Sequence, residues 1–265
     1  MILGSGLDSR QYRIAFPIED LSQVPADFVL PLDCGAFDAG VFLPRDDMDW
    51  LGRRRYPARI LLLSDREALI VPHPSADEQP VRVPLDLIER IEWGRILLIG
   101  WIVLNGDGRV IRLPYNTRAR APVEKCMQTL VDRWLPAPPA REIPFAGAFG
   151  EPIDLKFEYA RSAELLAGET ALAQFFQASP RGDLALVTSR RLLWITERRN
   201  GRYERYGTVG NSAGLSSIAG VRWVRTGRRG NLEVAFRSGA SWHVPIREDQ
   251  EEDARGFEAA VRRML

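Results

Sequence analysis

The sequence predicts a mainly β protein built of two similar domains, each a bent sheet or small barrel closed by a C-terminal amphipathic helix. Three observations predict it. The 265 residues correspond to two domains at ~100–200 residues each. Short apolar runs alternate with polar residues between turn-forming ones, as in strands. Four blocks of sequence recur in the same order along the chain.

The first block, Leu61–Ile70 (LLLSDREALI), parallels Ala185–Trp194 (ALVTSRRLLW) at an offset of 124. Each copy reads as two strands joined by a tight turn around Arg, or as one long bent hairpin. The second, Leu85–Trp93, parallels Leu215–Trp223 at an offset of 130, so the later copy carries six extra residues in between. In the third, Ile111, Leu113, Pro114 and Tyr115 match Trp242, Val244, Pro245 and Ile246. In the fourth, Met127, Leu130, Val131 and Trp134 match Phe257, Ala260, Val261 and Met264, again at 130.

The intervening residues fit this plan. Asn200-Gly201 is a type I′ hairpin signal, because both residues tolerate positive φ. Leu232, Val234 and Phe236 alternate with polar or small residues, as on a half-buried strand. Ser238-Gly239 turns the chain into Trp242, Val244 and Ile246, and Asn105–Gly108 is the matching turn of the first copy. Pro122 suits a first helical position. From there Val123, Cys126, Met127, Leu130, Val131 and Trp134 fall on one helical stripe, which makes Cys126 a packing residue.

These elements divide the chain into an acidic segment 1–49, a domain 50–136, a Pro-rich linker 137–153 and a second domain 154–265. The first 49 residues carry a net −6 and supply early strands of the first domain or a separate arm.

Composition excludes much chemistry. The net charge of +1 gives no overall pull toward nucleic acid. Only Lys125 and Lys156 are lysines, and no Gly-Lys pair exists, so there is no P-loop. Gly4-Ser5-Gly6 lacks the third glycine of a dinucleotide fingerprint. Two Cys, Cys34 and Cys126, and two His, His73 and His243, have no metal-ligand spacing. Asp46, Asp47 and Asp49 sit in no calcium loop. No metal, cofactor or catalytic residue is expected. The longest apolar run, Ile96–Leu104, is too short to span a membrane, and the N-terminus does not read as a secretory signal. A reduced, cytoplasmic protein is the expectation.

The second copy resembles a bacterial pleckstrin-homology-like domain. The resemblance rests on Glu164-Leu165-Leu166-Ala167-Gly168-Glu169, on Leu186–Leu192 (LVTSRRL), on Leu215–Val221 (LSSIAGV) and on the terminal helix. It covers residues 155–265 closely and 56–137 loosely. In the first copy Glu67-Ala68 stand where the family favours Arg-Leu. The resemblance implies a strongly bent sheet or barrel capped by a helix. It implies no activity, because this superfold hosts lipid binding, peptide binding and oligomerisation.

Three sites compete. The run Ile96–Leu104 is apolar throughout, which marks it as buried on both faces or as a joint between domains or subunits; its interface residues are Ile96, Leu98, Trp101, Ile102 and Leu104. Residues 188–230 hold ten arginines against two acids, a net +8. Of these, Arg190, Arg191, Arg198, Arg199, Arg202, Arg225, Arg228 and Arg229 are candidates for binding an anion or an anionic membrane surface, unless they only keep hairpin ends soluble. Gly210–Gly214 (GNSAG) satisfies the G-x-S-x-G pattern of a hydrolase, with Glu233 and His243 following in order. Its context fails, and a loop is the expected structure there. His73 and His243 have no evident partners. The expectation is a non-enzymatic binding or assembly module joining a protein partner or a second copy. Anion or membrane binding is the alternative, and a serine hydrolase the distant third.

Overall fold

A computed structural model describes residues 8–9, 14–32, 37–45, 56–96, 99–117, 120–135, 144–178, 182–197, 207–226 and 229–265, with the side chains of Ile96, Thr226 and Arg229 outside the description. The protein is mainly β, and its sheets are bent and open rather than closed barrels. It divides into two compact units. The first holds residues 1–88, 97–102 and 112–134; the second holds 89–96, 103–111 and 135–265. The block 85–116 is therefore shared between units, a division that residue order alone does not suggest. No helix among the described residues is long and apolar enough to cross a membrane.

In the first unit, strands β1 (Phe16–Pro17), β2 (Ala39–Leu43), β3 (Arg59–Leu63), β4 (Glu67–Pro72) and β5 (Val81–Pro84) form an antiparallel sheet in chain order. Acidic segment 1–49 thus contributes two strands to this sheet. β3 and β4 are the two strands expected of the first block. They are buried almost throughout, with Ile60, Leu61, Leu62 and Leu63 at 1% exposure or less. The Ser64 hydroxyl shapes the turn between them, accepting from the Arg66 and Glu67 N–H groups.

A 3-10 turn, Leu85–Leu87, leads to β6 (Ile88–Ile96), followed by β7 (Ile99–Gly106) and β8 (Arg109–Asn116). Asp107 and Gly108, between β7 and β8, both take positive φ (50° and 67°), as a type I′ turn requires. Helix α1 (Arg120–Trp134) closes the first unit, burying Val123, Cys126, Leu130 and Val131 on the expected stripe. Pro122 is its third residue rather than its first; the first turn tolerates proline because its N–H groups have no intrahelical acceptors.

In the second unit, β9 (Gly147–Gly150) runs parallel to β10 (Ala171–Gln177), with helix α2 (Leu155–Glu164) between them in sequence. β11 (Asp183–Thr188), β12 (Arg191–Glu197) and β13 (Gly207–Gly214) continue the sheet, and β13 pairs antiparallel with β6. A 3-10 turn, Leu215–Ser217, opens a three-stranded sheet of β14 (Ile218–Thr226), β15 (Arg229–Phe236) and β16 (Ser241–Ile246). Helix α3 (Glu251–Arg262) packs Ala254, Phe257, Ala260 and Val261 into the core with Trp194, Leu232 and Val244. Linker residues 137–143 and turn Asn200-Gly201 lie outside the described residues.

Candidate functional site

The buried polar centre of the second unit is built largely from two of the motifs, Glu164–Glu169 and Leu186–Leu192. Arg191 donates from Nε to Glu169 Oε1 at 2.9 Å and from Nη2 to Oε2 at 2.7 Å. Its Nη2 also meets the Glu164 carbonyl at 2.6 Å, and Nη1 reaches Ser212 Oγ at 3.3 Å. Thr188 Oγ1 lies 2.8 Å from Glu169 Oε1, and the Leu166 N–H donates to Oε2. The side chains of Arg191 and Glu169 are 2% and 0% exposed. Burial pushes the Glu169 carboxyl up, but the Arg191 guanidinium, the Leu166 N–H and the Thr188 hydroxyl together hold it below the ordinary value.

Arg191 is therefore committed inside the fold, not offered to an anion. Arg190 is buried as well and donates to the Leu135 carbonyl at 3.1 Å. Arg225 is exposed and pairs with Glu248 at 2.7 Å and Glu251 at 3.7 Å. Arg198, Arg199, Arg202 and Arg228 lie outside the described residues, as does the Arg229 side chain.

Of the apolar run, Trp101–Leu104 is buried, whereas Ile99 is 43% exposed. Trp101, Ile102 and Leu104 are 3%, 1% and 1% exposed within the single chain, so they present no surface to a second one. Arg112 lies over the Trp101 ring at 5.5 Å. The Ile96 side chain and Leu98 are outside the description.

Gly210–Gly214 is not a loop. It lies in β13, with Ser212 opposite Leu193 on one side and Ile91 on the other, and Ser212 is fully buried. A strand hydrogen-bonded on both edges cannot present its serine at a sharp strand-to-helix turn. Small residues suit the place: a Cβ on Gly210 would lie 2.3 Å from the Trp93 ring. Of the supposed partners, Glu233 pairs with Arg222 at 2.7 Å, and His243 Nε2 lies 3.0 Å from Ser241 Oγ. His73 does have partners. Its Nε2 lies 3.0 Å from Asp27, whose carboxylate also accepts from Ser9, and its Nδ1 accepts from the Ser75 N–H.

A site not foreseen from the sequence lies in the first unit. Pro17, Ile18, Glu19, Asp38, Ala39 and Gly40 face α1 residues Pro122, Lys125, Cys126, Thr129 and Arg133 across an open groove of about 330 Å³. The floor is apolar, with Ile18 at 2% and Cys126 at 4% exposure. Burial pushes the Cys126 thiol up to about 12, so it stays a neutral lining group. The rim is charged: Lys125 meets Glu19 at 3.3 Å, and Arg133 forks onto Asp38 at 2.7 and 2.9 Å. That guanidinium holds the Asp38 carboxyl below its ordinary value.

The groove exists because β1 is short. It pairs Phe16 with Phe42 and Pro17 with Val41, then reaches only the Gly40 carbonyl through the Ile18 N–H at 2.9 Å. On the edge of β2 away from β3, Ala39 and Gly40 have no strand pairing among the described residues. In the second unit the strand beside the closing helix is longer. β9 pairs with β10 from Ala173 to Phe176, and Phe149 packs against Phe257 of α3 with ring centroids 6.4 Å apart. A Cβ on Gly256 would lie 2.7 Å from that ring, so α3 is shaped to receive it. The one signal in the sequence was Pro122, Lys125, Thr129 and Arg133 recurring at helical spacing, beside the stripe that fills the core and bordering its member Cys126.

The chain matches no family model and no curated protein. The class defined by its fold is mainly β, with each unit carrying a helix that ends its run of strands.

Proposed function

We propose that the protein is a non-enzymatic binding module of two tandem pleckstrin-homology-like halves, which takes an extended segment of a partner protein into the groove beside α1. The single observation that carries this reading is the contrast between the two strand-and-helix slots. The slot against α3 holds the extended segment Gly147–Gly150, with an aromatic ring over a glycine, whereas β1 covers only part of the slot against α1. Strand addition supplies backbone hydrogen bonds, and an adjacent helix supplies side-chain pockets.

The tandem reading is supported by local chemistry that recurs in both halves. Ser64 and Thr188 each accept from the two N–H groups that follow in their turns. Leu85 N–H bonds to the Arg66 carbonyl as Leu215 N–H bonds to that of Arg190. A 3-10 turn then opens a nine-residue strand in each case.

The test uses a synthetic peptide of residues 145–151 (FAGAFGE) as probe. In NMR titrations it shifts the amides of residues 18, 19 and 38–40 and of α1, with a Kd of roughly 0.1–1 mM expected of a short flexible segment. Thr129→Trp fills the groove and abolishes the shifts. Shifts spread over the whole surface, or insensitive to Thr129→Trp, would overturn the reading.

A further inference from the structure

β14 has one strand neighbour, β15, and its opposite edge carries no strand among the described residues. A bare edge offers unpaired N–H and C=O groups to any passing strand. Here α3 fills that role with side chains. The Trp223 N–H donates to Glu258 Oε2 at 2.9 Å, and Arg262 Nε donates to the Val221 carbonyl at 2.9 Å. Glu258 and Arg262 also pair with each other at 2.8 Å, one helical turn apart. Residues 221 and 223 point the same way along a strand, so the two side chains satisfy the edge where an added strand would bond.

β6, which follows the other 3-10 turn, has a different fate. On the corresponding edge it carries β13, with Ile91 opposite Ser212 and Trp93 opposite Gly210. At the helix positions 130 residues before Glu258 and Arg262, α1 has Gln128 and Asp132. A carboxylate is acceptor-only when ionised, so Asp132 cannot donate to a strand carbonyl as Arg262 does. The β14 edge is met by Glu258 and Arg262 of α3, whereas the β6 edge pairs with β13.

We infer that the outer edge of β14 is a strand-addition surface for a second copy of this chain, held closed by Glu258 and Arg262. A second copy fits because the edge suits two-fold antiparallel pairing. Centred on Val221, such pairing sets Arg222 opposite Gly220, next to the bulge at Ala219, so no like charges face each other. Gly220 has open space around its Cα, which leaves room for the long Arg222 side chain. Arg262 is 58% exposed and free to swing away, whereas Glu258 is 15% exposed.

The test is Glu258→Ala/Arg262→Ala in the full chain, measured by light scattering and far-UV circular dichroism. The expected mass is twice that of the wild type at high protein concentration, with the spectrum unchanged. In dilute Glu258→Ala, hydrogen exchange at the Trp223 amide quickens by about 10- to 100-fold, the loss of one charge-assisted hydrogen bond. Glu258→Gln/Arg262→Lys keeps an acceptor and a donor and stays at the wild-type mass. A folded double-alanine variant at the wild-type mass overturns the inference, and so does a Gln/Lys variant that doubles equally. If the double-alanine variant loses its spectrum, Arg262→Ala alone decides by the same mass measurement.

Discussion

Arg191→Met removes the guanidinium from the centre of the second unit and leaves Glu169 buried without its counter-charge. Two hydrogen bonds to the carboxylate are lost, together with those to the Glu164 carbonyl and Ser212. Removing one partner of a buried pair costs about 3–5 kcal/mol. The Thr188 hydroxyl and Leu166 N–H remain on Glu169, which sets the expectation near the lower end, about 3 kcal/mol. In urea unfolding, with m of about 2–3 kcal/mol/M, the midpoint falls by roughly 1–1.5 M at unchanged m. Arg191→Met/Glu169→Gln removes the stranded charge and recovers about 1–3 kcal/mol, seen as a coupling energy in the double-mutant cycle. The pH dependence has a definite sign. Glu169 has a lowered pKa when folded, so its contribution is complete above about pH 4.3, the ordinary glutamate value, and fades as pH falls through the folded value. The gap between wild type and variant therefore narrows on acidification. A loss under about 1 kcal/mol at neutral pH, or a gap constant down to pH ~3, would refute the reasoning.

Two further outcomes follow from side chains already placed. With its pKa pushed up to about 12 by burial, Cys126 in a Cys34→Ser background stays unreactive to thiol reagents at pH ~8 until the chain is unfolded; rapid native labelling would show that the helix stripe is open. Gly256→Ala drives a methyl group to 2.7 Å from the Phe149 ring and destabilises by about 1–3 kcal/mol. Phe149→Ala added to it recovers part of the loss in thermal unfolding, and a purely additive pair would mean that β9 does not rely on α3.

The strands of the first block, the alternation of Leu232, Val234 and Phe236, and the stripes of α1 and α3 were legible because each depends on a period of 2 or 3.6 within one element. β1 and β9 are two and four residues long, too short to carry a period. Gly210–Gly214 has almost no apolar content to reveal a strand; it is buried because β12 and β6 enclose it. Charge misled in the same way. Arg190 and Arg191 stand in a turn and a strand start rich in polar residues, and nothing local shows that Glu169, 22 residues from Arg191, meets it inside the fold. The groove went unseen because its two walls, residues 17–19 with 38–40 and α1, are about a hundred residues apart.

By itself the sequence determined the β class, the position of each closing helix, the turn around Arg in each first block, and the shortage of residues suited to metal or nucleophilic chemistry. These are properties of composition and of neighbours in the chain. Only the tertiary structure decided which strand edges are paired, which arginines are buried, and where an open slot remains. Backbone hydrogen bonds across a sheet and ion pairs in a core join residues tens to hundreds of positions apart. Their partners are chosen by register and by the exclusion of water, which no local pattern records.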